Sequence, residues 1–163
     1  MNMFCYQCQE AAKGSGCEVK GVCGKTPEVS ALQDLLIYQL KGLSHYTTAL
    51  RLLGIENEAA NLFITDSLLM TITNANFDYE RFVNRIREGF KLRSQLKATL
   101  FENKVEPEKT ELLTWTALTA AEMEIITERV GVLSTENEDV RSLRELTIYG
   151  LKGMAAYVEH AQN

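Results

Sequence analysis

The chain has 163 residues, of which 45% are hydrophobic and 24% are charged, and its formal net charge is −5. The negative charge argues against a nucleic acid or an anionic membrane surface as a partner. No apolar run approaches the ~20 residues of a membrane span, and the N-terminus lacks the basic and apolar pattern of a signal peptide. We therefore expect a cytoplasmic protein, in which cysteines stay reduced.

The four cysteines of the chain all lie near its N-terminus, at positions Cys5, Cys8, Cys17 and Cys23. Their spacing is C-x2-C-x8-C-x5-C, and glycines 14, 16, 21 and 24 lie among them. Glycine lets the backbone turn tightly and approach a bound group closely. We interpret residues 1–26 as a cysteine-rich loop whose four thiolates form one metal site.

The spacing of the cysteines bears on what they bind. Thiolates select zinc, copper(I) or iron–sulfur clusters. Structural zinc sites commonly use two short knuckles, and only the Cys5–Cys8 pair is a knuckle here. A cubane has four separated iron corners, which suits ligands spread along a winding loop, and nearby lysines 13, 20 and 25 would offset its negative charge and tune it. The spacing favours an iron–sulfur cluster, with structural zinc as the alternative and unliganded or disulfide-bonded cysteines as a further one.

Five helices are predicted after the loop. Thr26, Pro27 and Glu28 form a good helix start, with threonine as N-cap and proline at the first helical position, and Gly54 is a plausible end. The other four helices are predicted over about 57–74, 78–101, 109–130 and 137 to the end of the chain. No strand pattern appears. The predicted class is all-α, with the loop followed by a three-helix bundle and the start of a second helical bundle.

One internal repeat connects the first and last helices. Residues 32–46 read LQDLLIYQLKGLSHY and residues 143–157 read LRELTIYGLKGMAAY, with eight of fifteen positions identical. Each copy has a glycine deep in its helix, Gly42 and Gly153, which costs about 1 kcal/mol relative to alanine. We expect each glycine to allow close packing against another backbone.

The repeat also predicts the domain organisation. The first copy is followed by two helices that can complete a bundle over 27–104, whereas the second copy lacks such partners, so 105–163 is predicted to be an incomplete second bundle. We therefore expect a fragment of a longer protein, with exposed apolar surface on the last helix. Self-association through that surface is a possible consequence.

Several segments together resemble the N-terminal region of the hybrid cluster protein family, also called prismane proteins or hydroxylamine reductases. The matching segments are MFCYQCQE, GCEVKGVCGKTPEV, LQDLLIYQLKG and LRELTIYGLKGMAAY. The resemblance covers essentially the whole chain, and its cysteine segment is far more specific than a single CxxC. It implies an N-terminal domain of two three-helix bundles, followed in the family by two α/β domains.

The resemblance also implies a cofactor and a role. The four cysteines match the ligands of a [4Fe–4S] cubane, and their compact spacing resembles the [4Fe–4S] form rather than the [2Fe–2S] form with wider spacing. In the family, reduction of hydroxylamine or nitric oxide takes place at a second, hybrid 4Fe–2S–2O cluster, whose ligands lie beyond residue 163.

The chain is therefore predicted to be the electron-transfer end of an oxidoreductase, inactive alone and without catalytic residues. Its expected partners are the remaining domains of the same enzyme and a redox protein of unknown identity. The alternative reading is a zinc-stabilised helical interaction module without a redox role.

Overall fold

The computed structural model describes residues 3–162, so both ends of the chain, at residues 1–2 and 163, lie outside the described part. The first residues of the predicted 1–26 loop and the last of the predicted 105–163 segment are therefore not covered. Within residues 3–162 the α-helices are α1 Pro27–Leu52, α2 Glu58–Met70, α3 Tyr79–Glu102, α4 Glu111–Thr114, α5 Ala120–Val130 and α6 Glu138–Gln162. The predicted all-α class is confirmed, because this range contains no β-strand. None of these helices is long and apolar enough to cross a membrane.

Two of the predicted helix starts are confirmed by their caps. The Thr26 hydroxyl accepts a hydrogen bond from the backbone N–H of Val29 at 3.4 Å, before Pro27 opens α1. The Asp78 carboxylate accepts one from the N–H of Arg81 at 3.2 Å, at the start of α3. Each cap satisfies a backbone donor that the first helical turn leaves without a partner.

The single helix predicted over 109–130 is wrong, because the chain forms α4 and α5 with an extended segment between them. Trp115 has extended backbone angles, and its ring lies 4.8 Å from the ring of Phe90 on α3. Thr119 and Glu122 then form a capping box that starts α5. The capping box gives hydrogen-bond partners to two backbone N–H groups and so stabilises a helix that begins here. The second helix was predicted over about 57–74 and is shorter, since α2 already ends at Met70.

Helix α1 is the centre of the fold, and α2, α3, α4 and α5 all pack against it. Leu35, Leu36 and Leu43 on α1 are completely buried. Met123 and Ile126 of α5 belong to the same buried cluster. The predicted division of the chain at residue 105 stays a prediction, and in the described residues the helices on both sides of it share this core.

The two glycines of the repeat have different surroundings. A Cβ atom at Gly42 would lie 2.9 Å from the carbonyl oxygen of Leu112, so the predicted close backbone approach is confirmed there. A Cβ atom at Gly153 would meet no other part of the described chain within 4 Å. Helix α6 packs on α2 and on the 3₁₀ turn Val132–Ser134.

The rest of α6 carries the exposed apolar surface that the repeat predicts. Large hydrophobic side chains that are exposed on α6 are Val140, Leu143, Leu146, Tyr149, Leu151, Met154, Tyr157 and Val158. We call this set the α6 apolar face. Its exposure confirms the prediction made for the last helix.

Candidate metal centre

The loop before α1 brings Cys5 and Cys17 directly opposite each other. The N–H of Cys17 donates to the carbonyl oxygen of Cys5 at 2.8 Å, and the N–H of Cys5 donates back at 3.1 Å. Residues that exchange both hydrogen bonds in an antiparallel pair project their side chains to the same face. The backbone therefore places two of the four predicted ligands side by side. Both are free thiols.

Cys17 is the most enclosed of the four cysteines. Its side chain is buried, and its sulfur accepts a hydrogen bond from the backbone N–H of Ala12 at 3.4 Å. Ala12 opens the short 3₁₀ turn Ala12–Gly14, whose fold aims this N–H at the sulfur. Hydrogen bonds to cysteine sulfurs stabilise the thiolate form and, in iron–sulfur proteins, help to set the reduction potential.

Cys8 and Cys23 lie together along an open cleft of about 680 Å³. Cys23 is the exposed member of the set, in a turn where Gly24 has a φ of +94° that favours glycine. A Cβ atom at Gly21 would lie 3.0 Å from the sulfur of Cys23, so a larger residue would crowd that sulfur. Gly21 thus leaves room beside the sulfur of Cys23, and Gly24 allows the turn.

Gln7 connects the two pairs of cysteines. Its side chain lines the cavity that Cys5 borders and also the cleft that Cys8 and Cys23 border. Its amide oxygen is buried and has no hydrogen-bond partner in the described chain. Buried polar atoms in proteins are nearly always paired, so this oxygen calls for a donor, which a water molecule can supply and an iron–sulfur cluster cannot.

The groups that the loop offers are of the kind that bind soft metal ions. The loop offers four thiols, a backbone donor to one sulfur and an ammonium group near another. Within residues 3–161, however, no three His, Cys, Asp or Glu side chains lie close enough together to hold a metal ion, so the structure does not gather the four cysteines into one site. A cluster with several iron atoms takes its ligands at separate corners, and thiolates are its standard ligands.

The three lysines predicted to tune the site do not share one environment. Lys13 and Lys20 are exposed, whereas Lys25 is 2% exposed. The Lys25 ammonium lies 3.7 Å from the sulfur of Cys5 and donates to the amide oxygen of Gln33 at 2.7 Å. The prediction grouped three charges that the fold separates, and only Lys25 reaches a cysteine sulfur among the described contacts.

A group of ionisable residues behind the loop, of which Lys152 is buried and Asp34 and Glu145 are partly buried, was not predicted as part of the site. Asp34 on α1 and Lys152 and Glu145 on α6 line a cavity of about 370 Å³ that Cys5 also borders. Burial raises the pKa of Asp34 to about 7, and the positive charge of Lys152 opposes that rise. Burial also lowers the pKa of Lys152 to about 8, although Asp34 opposes this shift. The ammonium of Lys152 donates to the carbonyl oxygen of Thr71 at 3.2 Å.

One sequence signal could have identified part of this group. Gln33 and Asp34 interrupt the apolar run that extends from Ala31 to Ile37. A helix that is apolar on all sides is typically surrounded by protein, so polar residues within such a run need partners. The pairing of Asp34 with Lys152 could not be read in this way, because it depends on how α6 packs beside α1.

Comparison with known proteins agrees with the resemblance of the cysteine segment and the repeat. Residues 3–163 match the model of the Prismane/CO dehydrogenase family. The hydroxylamine reductase of Parabacteroides distasonis is 57% identical over 162 residues, which are 99% of this chain and 30% of that protein. The hydroxylamine reductase of Desulfitobacterium hafniense is 56% identical over 163 residues, with coverage of 99% and 30%. That of Clostridium novyi is 52% identical over 165 residues, with coverage of 100% and 30%.

These relatives are considerably longer than the sequence described here. The chain spans about 30% of the length of the curated relatives that it matches. The match nevertheless extends over almost all of its own residues, including the cysteine loop and both copies of the repeat. The chain therefore belongs to the Prismane/CO dehydrogenase family.

Proposed function

We propose that this chain is the N-terminal electron-transfer region of a hydroxylamine reductase-type oxidoreductase. In this proposal Cys5, Cys8, Cys17 and Cys23 hold a [4Fe–4S] cluster. The relatives of known name are hydroxylamine reductases, which supports the reaction class. The identity of the cluster and its four ligands are inferences from the loop.

The observation that carries the proposal is the fold of the cysteine loop. Cys5 and Cys17 are paired across an antiparallel bridge, and Cys8 and Cys23 both line one open cleft. Two sulfurs already have donors, from Ala12 and from Lys25. Such an arrangement stabilises thiolates, which are the form of cysteine that binds iron.

Each part of the chain then has a defined task. The cysteines bind the cluster, the glycines keep space for it, and the N–H of Ala12 and the ammonium of Lys25 stabilise negative charge on sulfur. When bound, a [4Fe–4S] cluster accepts and donates one electron at a time. The helices support the loop from behind, because α1 begins at Pro27 and its cap, Thr26, lies only three residues after Cys23.

We propose that catalysis takes place in a region corresponding to the part of the relatives that this chain does not match. We propose that a hybrid 4Fe–2S–2O cluster there receives the electrons and reduces hydroxylamine or nitric oxide. No catalytic residue is assigned within the present sequence. We therefore expect this length of chain alone to be redox-active and to have no hydroxylamine reductase activity.

The proposal is tested by the spectra of anaerobically purified protein. We expect a brown protein whose visible absorption bleaches with dithionite and which then gives an electron paramagnetic resonance signal of a reduced cubane. Cys8→Ser should lose most of this absorption, whereas Ser15→Ala, in the same loop, should keep it. A colourless protein with one bound zinc per chain would instead support the zinc-stabilised interaction module.

A further inference from the structure

Lys25 is an unusual residue, because its charged side chain is almost completely buried. It is 2% exposed, and lysine is rarely buried at all unless its charge is paired. It takes part in no salt bridge within the described residues. Its direct partners are the sulfur of Cys5 and the amide oxygen of Gln33. Asp34 and the buried Lys152 also interact with it electrostatically, and Lys152 interacts with Cys5 as well, but in the described part of the chain only Lys25 has its ammonium within contact distance of the Cys5 sulfur.

Gln33 holds the ammonium group in place. Its amide oxygen accepts from Lys25 at 2.7 Å, and its amide nitrogen donates to the carbonyl oxygen of Asn76 at 3.4 Å. Because one end of the amide must accept and the other must donate, these two partners fix its orientation. Gln33 is itself buried on α1, so the position of the charge is set by the helical core.

The backbone of the loop fixes the other end of the lysine. The carbonyl oxygen of Lys25 accepts from the N–H of Gly21 at 2.8 Å, which closes the turn that contains Cys23. A Cβ atom at Gly21 would lie 3.0 Å from the Cβ of Lys25, so the turn is tight at this point. The lysine therefore belongs to the same rigid unit as Cys23, and its ammonium reaches across to Cys5.

The environment of this charge differs from that of the other lysines in the loop. Lys13 and Lys20 are exposed, and water and salt screen their charges. The charge of Lys25 lies in the interior, where screening is weak and electrostatic interactions are stronger. A fixed positive charge favours the more negative, reduced state of a nearby redox centre and so raises its reduction potential.

We propose that the charge of Lys25 sets the reduction potential of the redox centre held by Cys5, and that Gln33 is the residue that positions this charge. This inference rests on the proposed function, because it requires an iron–sulfur cluster on the cysteine loop. It goes beyond that function by assigning the electrostatic control to one lysine of three and to a glutamine outside the loop.

The test is a redox titration of the anaerobically purified protein, followed by the paramagnetic signal of the reduced cluster. Lys25→Met keeps the length of the side chain and removes the charge. We expect the ratio of reduced to oxidised cluster at a fixed potential to fall at least tenfold, which is about 59 mV for a one-electron couple. Lys13→Met and Lys20→Met remove the same charge at exposed positions and should change the ratio less than about twofold.

Two further variants separate the charge from its positioning. Lys25→Arg retains the charge and should keep most of the wild-type potential. Gln33→Met leaves the lysine but removes its anchor, so we expect a shift in the same direction as Lys25→Met and smaller. If Lys25→Met does not retain its cluster, the reduction potentials of Lys25→Arg and Gln33→Met test the proposal in the same titration.

The outcomes distinguish this inference from the proposed function. Wild-type protein without iron or sulfide would overturn the proposed function, and the inference with it. A normal cluster whose potential is equally sensitive to Lys13→Met and Lys25→Met would overturn the inference alone. Equal potentials in wild type and Gln33→Met would overturn the positioning role of Gln33.

Discussion

Helices α1 and α6 carry two copies of one sequence repeat, yet their matching apolar residues have opposite surroundings. Leu35 of α1 is 0% exposed, whereas its counterpart Leu146 of α6 is 68% exposed. Tyr46 is 1% exposed and donates to the carbonyl oxygen of Leu113, whereas Tyr157 is 79% exposed. The same side chains therefore form the centre of the core in one helix and an open surface in the other.

The lysine of the repeat has the reverse pattern. Lys41 of α1 is exposed, and Lys152 of α6 is 4% exposed with Thr71 as its hydrogen-bond partner. The comparison teaches that the pattern of the repeat specifies a helix with an apolar stripe but not which elements cover it. Covering is decided by the rest of the fold: α1 is surrounded by four helices, whereas α6 has α2 as its main helical neighbour.

We propose that further helices of the longer protein cover the α6 apolar face. The chain spans about 30% of the length of its curated relatives, so such proteins have ample additional chain. By the repeat, Gly153 would face a backbone segment as Gly42 faces Leu112, and Tyr157 would donate to a carbonyl as Tyr46 does. The following predictions test this correspondence between the two helices.

The largest expected difference is between Leu35→Ala and Leu146→Ala. Truncating a fully buried leucine removes apolar contacts and leaves a cavity, so Leu35→Ala should lower the free energy of unfolding by about 2–5 kcal/mol. Leu146→Ala should change it by less than about 0.5 kcal/mol, because that side chain is mostly in water. Urea unfolding of the two variants measures both values. Similar losses in both would show that α6 is already covered.

Replacing each repeat glycine with alanine should change the stability of the chain in opposite directions. The Cβ of Gly42→Ala would press on the backbone oxygen of Leu112, and such overpacking costs about 1–3 kcal/mol. Gly153→Ala meets no neighbour and should stabilise the chain by up to about 1 kcal/mol through its higher helix propensity. In the longer protein, Gly153→Ala should become destabilising if a backbone covers it. Stabilisation there as well would contradict the proposed packing.

Asp34, on the repeat helix α1, should couple the stability of the fold to pH. The pKa of Asp34 is raised from 3.8 to about 7, chiefly by burial. The folded state thus holds this proton more tightly than the unfolded state, and stability is lost as the pH rises from about 4 to about 7. This loss is up to about 1.4 kcal/mol of unfolding free energy per pH unit, and Asp34→Asn should remove it. Urea unfolding at several pH values between about 4 and about 7 measures the effect. An unchanged slope in Asp34→Asn would contradict the assignment.

The smallest effect concerns association between copies of the chain. Exposed apolar patches of this kind favour self-association, so we expect the average mass in sedimentation experiments to rise with protein concentration. Met154→Glu places a charge in the α6 apolar face and should reduce the association without changing the unfolding midpoint much. Lys41→Glu, on the exposed side of α1, serves as the control. A strict monomer at all concentrations would show that this face does not pair with itself.

Much of the fold was readable from the sequence because its helix ends are marked by local chemistry. Thr26 and Asp78 cap the starts of α1 and α3 as predicted. The break before α5 was missed, because the apolar period continues through it, although Thr119 and Glu122 have the spacing of a capping box. The capping box therefore marks the start of α5, where the apolar period does not.

The sequence identifies the cysteine loop and does not show what surrounds it. Cysteine spacing and glycine placement are local, so they identify the loop without knowledge of the fold. Burial of Lys25 depends on Gln33 and Asn76, which lie on other parts of the chain. The partners of Lys152 likewise come from α1 and from the end of α2. Long-range packing of this kind leaves no spacing signal in the sequence.

The central claim is that four N-terminal thiolates hold a cubane, and metal analysis of oxygen-free protein tests it most directly. Iron, acid-labile sulfide and zinc should be measured per chain on the same sample, with Cys17→Ser as the matched variant. We predict iron and sulfide in equal amounts, approaching four of each, and a large loss of both in the variant. One zinc per chain without sulfide, or no metal at all, would contradict the account.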